Sequence, residues 1–154
     1  MSTLIAPPSL IQARRIAQEH GDFNGFVEVV PYAKFLGMRV ECQADGERLL
    51  RLPYRDELIG NARLPALHGG VTAAFMEMTA TLHLLMHLDQ HRVPKSIDFS
   101  IDYLLSGRPQ DCFARCEVSR AGTRVAQTQI RCWQTDPEKP IAIARAHFLL
   151  APLE

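Results

Sequence analysis

No charge of one sign dominates this sequence. Seventeen Lys and Arg face seventeen Asp and Glu among 154 residues, so the strong positive field of a general nucleic-acid or anionic-membrane binder is missing. Only a local basic patch for one phosphorylated ligand is left open. Cysteine is scarce: Cys42, Cys112, Cys116 and Cys132 show no CxxC spacing, and a domain of this size does not need disulfides. They read as reduced thiols of a cytosolic protein. Cys112 and Cys116 share a strand face, yet at 3.3 Å per residue they lie about 13 Å apart, too far to bridge, and read as core-filling. No segment reaches ~18 uninterrupted apolar residues, and Met1 to Leu10 has no basic stretch followed by a long apolar run. The expectation is a cytoplasmic protein with no membrane span. Internal repeats and low-complexity segments are also lacking, and a chain of this length buries roughly two-thirds of its unfolded surface in one core. One domain over residues 1–154 follows, with a helical segment over 1–36 and a main body over about 37–151.

What is present begins with punctuation. After Pro7-Pro8, Ser9 is placed to cap a short helix through Ile11, Ala13, Ile16 and Ala17 that ends before Gly21. Phe26 to Leu36 mixes strand formers (Val27, Val29, Val30) with Pro31-Tyr32-Ala33-Lys34-Phe35-Leu36-Gly37, and helix turns closed by Gly37 are the preferred reading. Met38–Gln43 and Arg48–Tyr54 flank Ala44-Asp45-Gly46-Glu47, a hairpin signal. Arg55 to Leu67 reads as a loop. From Val71, the residues Ala74, Phe75, Met78, Leu82, Leu85 and Met86 keep helical spacing. After Pro94 the period changes: Ile97, Phe99, Ile101 and Tyr103 alternate with Ser96, Asp98, Ser100 and Asp102, as in a half-buried strand. Three more runs, about Asp111–Arg120, Thr123–Thr135 and Ile141–Pro152, are joined by short turns and predict an antiparallel meander. The sum is an α+β domain with one sheet on one principal helix, whose exposed edge strands call for a second copy.

The chemistry concentrates in Leu67-His68-Gly69-Gly70, which opens the apolar helix, and in Glu77, the one carboxylate inside it. A helix entrance leaves backbone N–H groups bare and aimed outward, which suits an oxygen bearing negative charge. Gly70 and Glu77 are seven residues apart, about 10 Å at 1.5 Å rise, whereas both would have to come within ~3 Å of one reacting group. One helix cannot supply both ends of a single site. The plain alternatives are a Glu that reaches solvent or pairs with Arg63, a tight turn at Gly69-Gly70, and a capping or packing His68.

The HGG opening, the acid nine positions after the His, the strand Ser96-Ile97-Asp98-Phe99-Ser100-Ile101-Asp102-Tyr103-Leu104 and the turn Arg120-Ala121-Gly122-Thr123-Arg124 resemble the hotdog-fold acyl-CoA thioesterases, in the phenylacetate-pathway (PaaI-like) branch. The likeness spans roughly Phe35 to Leu150. It implies a hotdog fold, a curved antiparallel sheet wrapped around one long central helix. It further implies a homodimer or dimer of dimers with sites at the subunit interface, and hydrolysis of acyl-CoA with no cofactor or metal, coenzyme A being part of the substrate.

Carried over residue by residue, the resemblance makes Gly70, with Gly69, the donor that polarises the thioester carbonyl, and Glu77 the nucleophile or general base. Asn61 would orient water or the carboxylate, though its spacing to His68 is one residue longer than the pattern and an ordinary turn Asn is the alternative. His68 would hold the loop or touch the thioester, and Thr81 and Ser96 would be positioning hydroxyls, or else merely surface ones. Arg120 and Arg124, with Arg92 and Lys95, would bind the CoA phosphates or simply be solvated hairpin charges. Apolar residues Leu58, Ile59, Leu64 and Leu67 suggest an aryl or medium-chain acyl group. His83, His87 and His91, with Asp89, have metal-like spacing but lack a third ligand in an open cavity, so a solvated helix end is preferred. The rival functions are a hotdog enoyl-CoA hydratase or dehydratase, and a non-catalytic acyl-CoA-binding protein.

Overall fold

The computed structural model describes residues 9–88 and 92–152. Helix α1 (Leu10–His20) starts at a capping box in which Ser9 and Gln12 bond to each other's backbone, and it stops at Gly21 in the left-handed conformation. Two short helices follow, α2 (Asn24–Val27) and α3 (Pro31–Leu36), the latter closed by left-handed Gly37. The helical reading of this ambiguous stretch therefore holds. The Asp45-Gly46 turn joins β1 (Arg39–Cys42) to β2 (Arg48–Leu52) as an antiparallel hairpin.

The stretch read as a loop has more order than its glycines and proline suggest. It carries a 3-10 turn (Asp56–Leu58) and a two-stranded ribbon of β3 (Ile59–Asn61) and β4 (Ala66–Leu67). The ribbon is too short to leave a period in the sequence. It delivers the chain to α4 (Gly69–His87), a 19-residue helix that begins two residues before the apolar spacing does. Among the described residues no helix is long and apolar enough to cross a membrane.

Strand β5 (Arg92–Tyr103) runs back along α4, and β6 (Cys112–Ala121), β7 (Val125–Trp133) and β8 (Ala142–Pro152) form the expected meander. All pairings are antiparallel, in the order β1-β2-β6-β7-β8-β5. Thus β5 sits beyond β8, at the edge. That position explains how Pro94 is accommodated inside β5, since an edge strand does not use every N–H. The half-buried alternation holds in the middle of this strand, where Phe99 and Ile101 pack against the core and Asp98, Ser100 and Asp102 are exposed, but a bulge between Ser96 and Asp98 leaves Ile97 57 % exposed, and Tyr103 at the strand's end is 54 % exposed.

The core lies between α4 and the inner face of the sheet. Phe75, Met76, Ala80 and Leu82 of the helix are fully buried against a face built largely of small residues, Ala114, Ala126, Ala142 and Ala146, with Ile130 and Phe148 between them. Large helix side chains over small strand side chains let the two layers approach closely. All four cysteines are free; Cys112, Cys116 and Cys132 are buried in this layer, and burial pushes the Cys116 thiol up to about 12. The architecture is α+β, the hotdog arrangement of an antiparallel sheet on one long helix.

Candidate active site

The ribbon fixes the entrance of α4. Ile59 pairs with Leu67, and His68 N–H donates to Leu58 O at 2.9 Å, so the chain reaches His68 in a set orientation. His68 is then the N-cap of α4: its Nδ1 accepts from Gly70 N–H at 2.9 Å. An imidazole that accepts through Nδ1 carries its proton on Nε2, which leaves an outward N–H donor.

Two glycines pass close to the ring. A Cβ on Gly60 would lie 2.7 Å from His68 Cα and 2.9 Å from its Cδ2, and one on Gly70 would lie 2.9 Å from its Nδ1. Two glycines from different elements leave the space that this imidazole occupies. The Gly70 N–H, expected as the polarising donor, is therefore already held by His68. The Gly69 N–H is one of the helix's first donors and has no partner among the described residues.

Glu77 lies two turns along α4, half-buried, and among the described residues its carboxylate has neither a hydrogen bond nor an ion pair. The pairing with Arg63 is not made. Thr81 sits one turn further, and its hydroxyl donates to Glu77 O at 3.0 Å, inside its own helix. Asn61 occupies the turn that joins the ribbon strands, where its Oδ1 accepts from Arg63 N at 3.0 Å and Leu64 N at 3.3 Å. This matches the turn reading of Asn61 and leaves its Nδ2 as the open group. Ser96 is exposed on β5 at the bulge.

Arg120 and Arg124 are exposed about the β6–β7 turn, and Arg92, opening β5, donates through Nη1 to Thr123 O. These cations gather at the end of the sheet where α4 finishes. Since α4 spans about 28 Å at 1.5 Å per residue, they stand far from the glycine entrance of the same chain.

The C-terminal part of α4 corrects another expectation. His87 is exposed and its Nδ1 meets His83 O at 2.7 Å, but His83 is half-buried, with its ring 4.3 Å from that of His87. Burial, helped by the neighbouring imidazole, lowers the His83 pKa to about 4. Among the described residues no His, Cys, Asp and Glu cluster could hold a metal, while Asp89 and His91 lie outside them.

Two concavities matter for the chemistry. A cleft of about 340 Å³ opens beside the helix entrance, lined by Leu67, Gly69, Thr72, Tyr103, Leu105 and Ile141 among others. Of the four apolar residues expected to line a pocket, only Leu67 does so. Leu58 is in the core and Leu64 is 70 % exposed on the ribbon turn. A larger concavity of about 510 Å³ lies on the outer face of the sheet among Arg115, Arg131, Arg145, Glu117 and Asp102, and none of the entrance residues reaches it. Of the entrance residues, Leu67 and Gly69 line the smaller cleft. Sequence reasoning missed Gly60 and Tyr103, whose contacts hold this entrance. The available signal was a glycine beside Asn61 and a hydroxyl-bearing ring closing an otherwise apolar stripe.

The family profile of the thioesterase superfamily matches residues 64–141, which include β4, α4, β5, β6 and β7. The chain belongs to the thioesterase superfamily. This thioesterase is 28 % identical over 138 residues to a medium/long-chain acyl-CoA thioesterase of Escherichia coli, YigI, in a match covering 81 % of this chain and 88 % of that protein. A crystal structure of a Chromobacterium violaceum protein is 40 % identical, with a TM-score of 0.74 and 93 % and 99 % of the two chains covered. A Bacillus halodurans protein crystallised with CoA shares the fold at 16 % identity, with a TM-score of 0.73 and 99 % of each chain covered.

Proposed function

We propose that this thioesterase hydrolyses acyl-CoA esters to the free acid and CoA, at a site shared between two copies of the chain. The observation that carries the proposal is the entrance of α4. It holds a Gly69 N–H with no partner among the described residues, at a cleft of acyl-group size, and an imidazole bonded through Nδ1 to the Gly70 N–H. The bare Gly69 N–H suits the oxygen of a thioester carbonyl, whose charge grows as the carbonyl carbon becomes tetrahedral, and the His68 Nε2 N–H is a second donor at the same helix end. Gly70 assists by holding His68, and its own N–H becomes a donor only when the imidazole lets go.

Glu77 supplies the other half. In one route its carboxylate takes a proton from water as the water oxygen bonds to the carbonyl carbon; the tetrahedral oxyanion then collapses, the C–S bond breaks, and the thiolate of CoA leaves with that proton. In the other route the carboxylate attacks the carbonyl carbon, the C–S bond breaks and the CoA thiolate leaves, and water then hydrolyses the resulting anhydride to the free acid and the regenerated carboxylate. Neither route draws on a metal or a redox cofactor. Because the entrance donors and Glu77 of one helix are too far apart, Glu77 acts at the entrance of a second copy. The exposed edge strand β5 supports this arrangement. Antiparallel pairing of β5 with its copy would run the two α4 helices in opposite directions, bringing one chain's Arg92, Arg120 and Arg124 to the end where the other's glycine entrance lies. Those cations then meet the CoA phosphates. Asn61 Nδ2 and Ser96 are further polar groups on the elements that frame the site.

The acyl group is proposed to be medium-chain or aryl, from the Leu67, Leu105 and Ile141 side chains in the cleft and the medium/long-chain acyl-CoA named for the E. coli relative. The deciding experiment follows thiol release over a panel of acyl-CoA esters, with wild type and Glu77→Gln side by side. We expect release for part of the panel and a loss of about 10³-fold in Glu77→Gln with substrate affinity retained. Wild type that releases no thiol, or a Glu77→Gln variant with unchanged turnover, overturns the assignment. Loss of an enoyl double bond without thiol release would mark a hydratase instead.

A further inference from the structure

The last residue of β5 reaches the first residue of α4. Tyr103 donates its hydroxyl to Gly69 O at 2.7 Å. That carbonyl and the Gly70 N–H belong to the same peptide unit, and the Gly70 N–H donates to His68 Nδ1 at 2.9 Å. The Gly69–Gly70 peptide is thus held at both ends, by a hydroxyl from the edge strand and by the imidazole one residue before it.

A carbonyl has two lone pairs, so the tyrosine bond adds to the helix ladder without displacing it. Hydrogen bonds in series polarise one another: drawing on the carbonyl oxygen makes the N–H of the same amide a stronger donor. The effect ends on His68 Nδ1. A stronger donor there holds the imidazole proton on Nε2, the nitrogen left to face a ligand. Packing alone does not account for the tyrosine, because it is 54 % exposed and its hydroxyl is aimed at the helix. Gly69 fits the same picture, since a Cβ there would come 3.3 Å from the Tyr103 ring and hydroxyl.

We propose that Tyr103 is a positioning residue for thioester hydrolysis, acting through the Gly69–Gly70 peptide to set the tautomer and direction of His68. The proposal rests on the thioesterase reading of this site. The tyrosine has two separable parts: the hydroxyl clamps the peptide, while the ring lines the 340 Å³ cleft. Tyr103→Phe removes the first and keeps the second; Tyr103→Leu removes both.

The test combines kinetics on an acyl-CoA that wild type hydrolyses with nitrogen-15 NMR of His68 in the substrate-free protein. For Tyr103→Phe we expect kcat about tenfold lower, the effect of one hydrogen bond, with KM within about twofold. The His68 Nδ1 signal should move from that of a bonded acceptor toward that of a tautomer mixture. Tyr103→Leu should show the same NMR change and a raised KM. A Tyr103→Phe enzyme with wild-type kcat and unmoved His68 signals overturns the proposal, as does a loss of kcat with those signals unmoved. The NMR arm uses no substrate. A protein that releases no thiol from any acyl-CoA therefore defeats the thioesterase reading separately from the clamp.

Discussion

At the N-terminus of α4, His68 lies close to Gly60 and Gly70 and is bonded through Nδ1, whereas two turns along the same helix Glu77 carries a carboxylate that no described residue binds. The contrast separates two kinds of construction. Donors for an oxyanion must be in place before charge develops, so their orientation has to be fixed within the chain. A half-buried carboxylate with no partner is unfavourable where it stands, and its use depends on what approaches it. On the two-chain reading proposed above, the entrance is complete in one chain and Glu77 serves the entrance of a second copy.

Breaking this contrast most strongly means disabling its two halves in different chains. Glu77→Ala and Gly70→Val, each alone, should lose about 10³-fold in turnover, the second because its Cβ displaces the His68 ring. Mixed after dissociation, a shared-site dimer has one intact site in each heterodimer, so random pairing should restore about a quarter of wild-type activity. Thiol release that stays at the parental level on mixing would mean each chain works alone.

The next effect probes the braced end by itself. Gly60→Ala puts a Cβ 2.7 Å from the His68 backbone, which a side-chain rotation cannot relieve. We expect the imidazole to shift by a few tenths of an ångström or more and kcat to fall by up to about 10²-fold. Kinetics alongside thermal unfolding check this: a large loss of stability with unchanged kcat would show that the close approach serves folding alone.

How much of this was legible in the sequence depends on how local each signal is. Ser9 with Gly21, Gly37, and Asp45-Gly46 announce their caps and turn within a few residues, and all stand where expected. The helix opening and Glu77 were visible as residue types. The place of β5 beyond β8 was not, because neighbours in a sheet are set by long-range pairing, and with it went the exposure of Ile97 and Tyr103. The contact of Gly60 with His68 depends on a ribbon of a few residues, and that of Tyr103 with Gly69 joins groups 34 positions apart. His83 was hidden for the same reason, since its burial comes from tertiary packing and not from its spacing.

His83 sharpens the comparison from the opposite end of the helix, where burial without a partner acts on stability instead of chemistry. Its folded pKa, about 4, lies below the ordinary value of 6.5, so the native state favours the neutral ring. Its contribution is fully present above pH 6.5 and is lost as pH falls from there through about 4. Between pH 6.5 and pH 5 this is about 2 kcal/mol at 1.36 kcal/mol per unit. Urea unfolding across that range should show the slope in wild type and a flatter profile in His83→Gln. Equal slopes would place the pH dependence on other groups.

The smallest expected effect concerns Thr81, the residue nearest Glu77 on its stripe. Its hydroxyl hydrogen lies along the bond to Glu77 O at 3.0 Å, so the group can only accept from a bound water, and cannot donate to one without leaving the helix. Thr81→Val keeps the shape and removes the hydroxyl. Because the removed bond is to a carbonyl that also belongs to the helix ladder, nothing buried is stranded, and we expect kcat within about threefold of wild type. The comparison with Glu77→Gln is then a difference of about 10³ against a factor near unity for groups one turn apart. A Thr81→Val loss approaching 10²-fold would show that the hydroxyl leaves its helix bond when substrate enters, and that the acid end, too, is braced from within the chain.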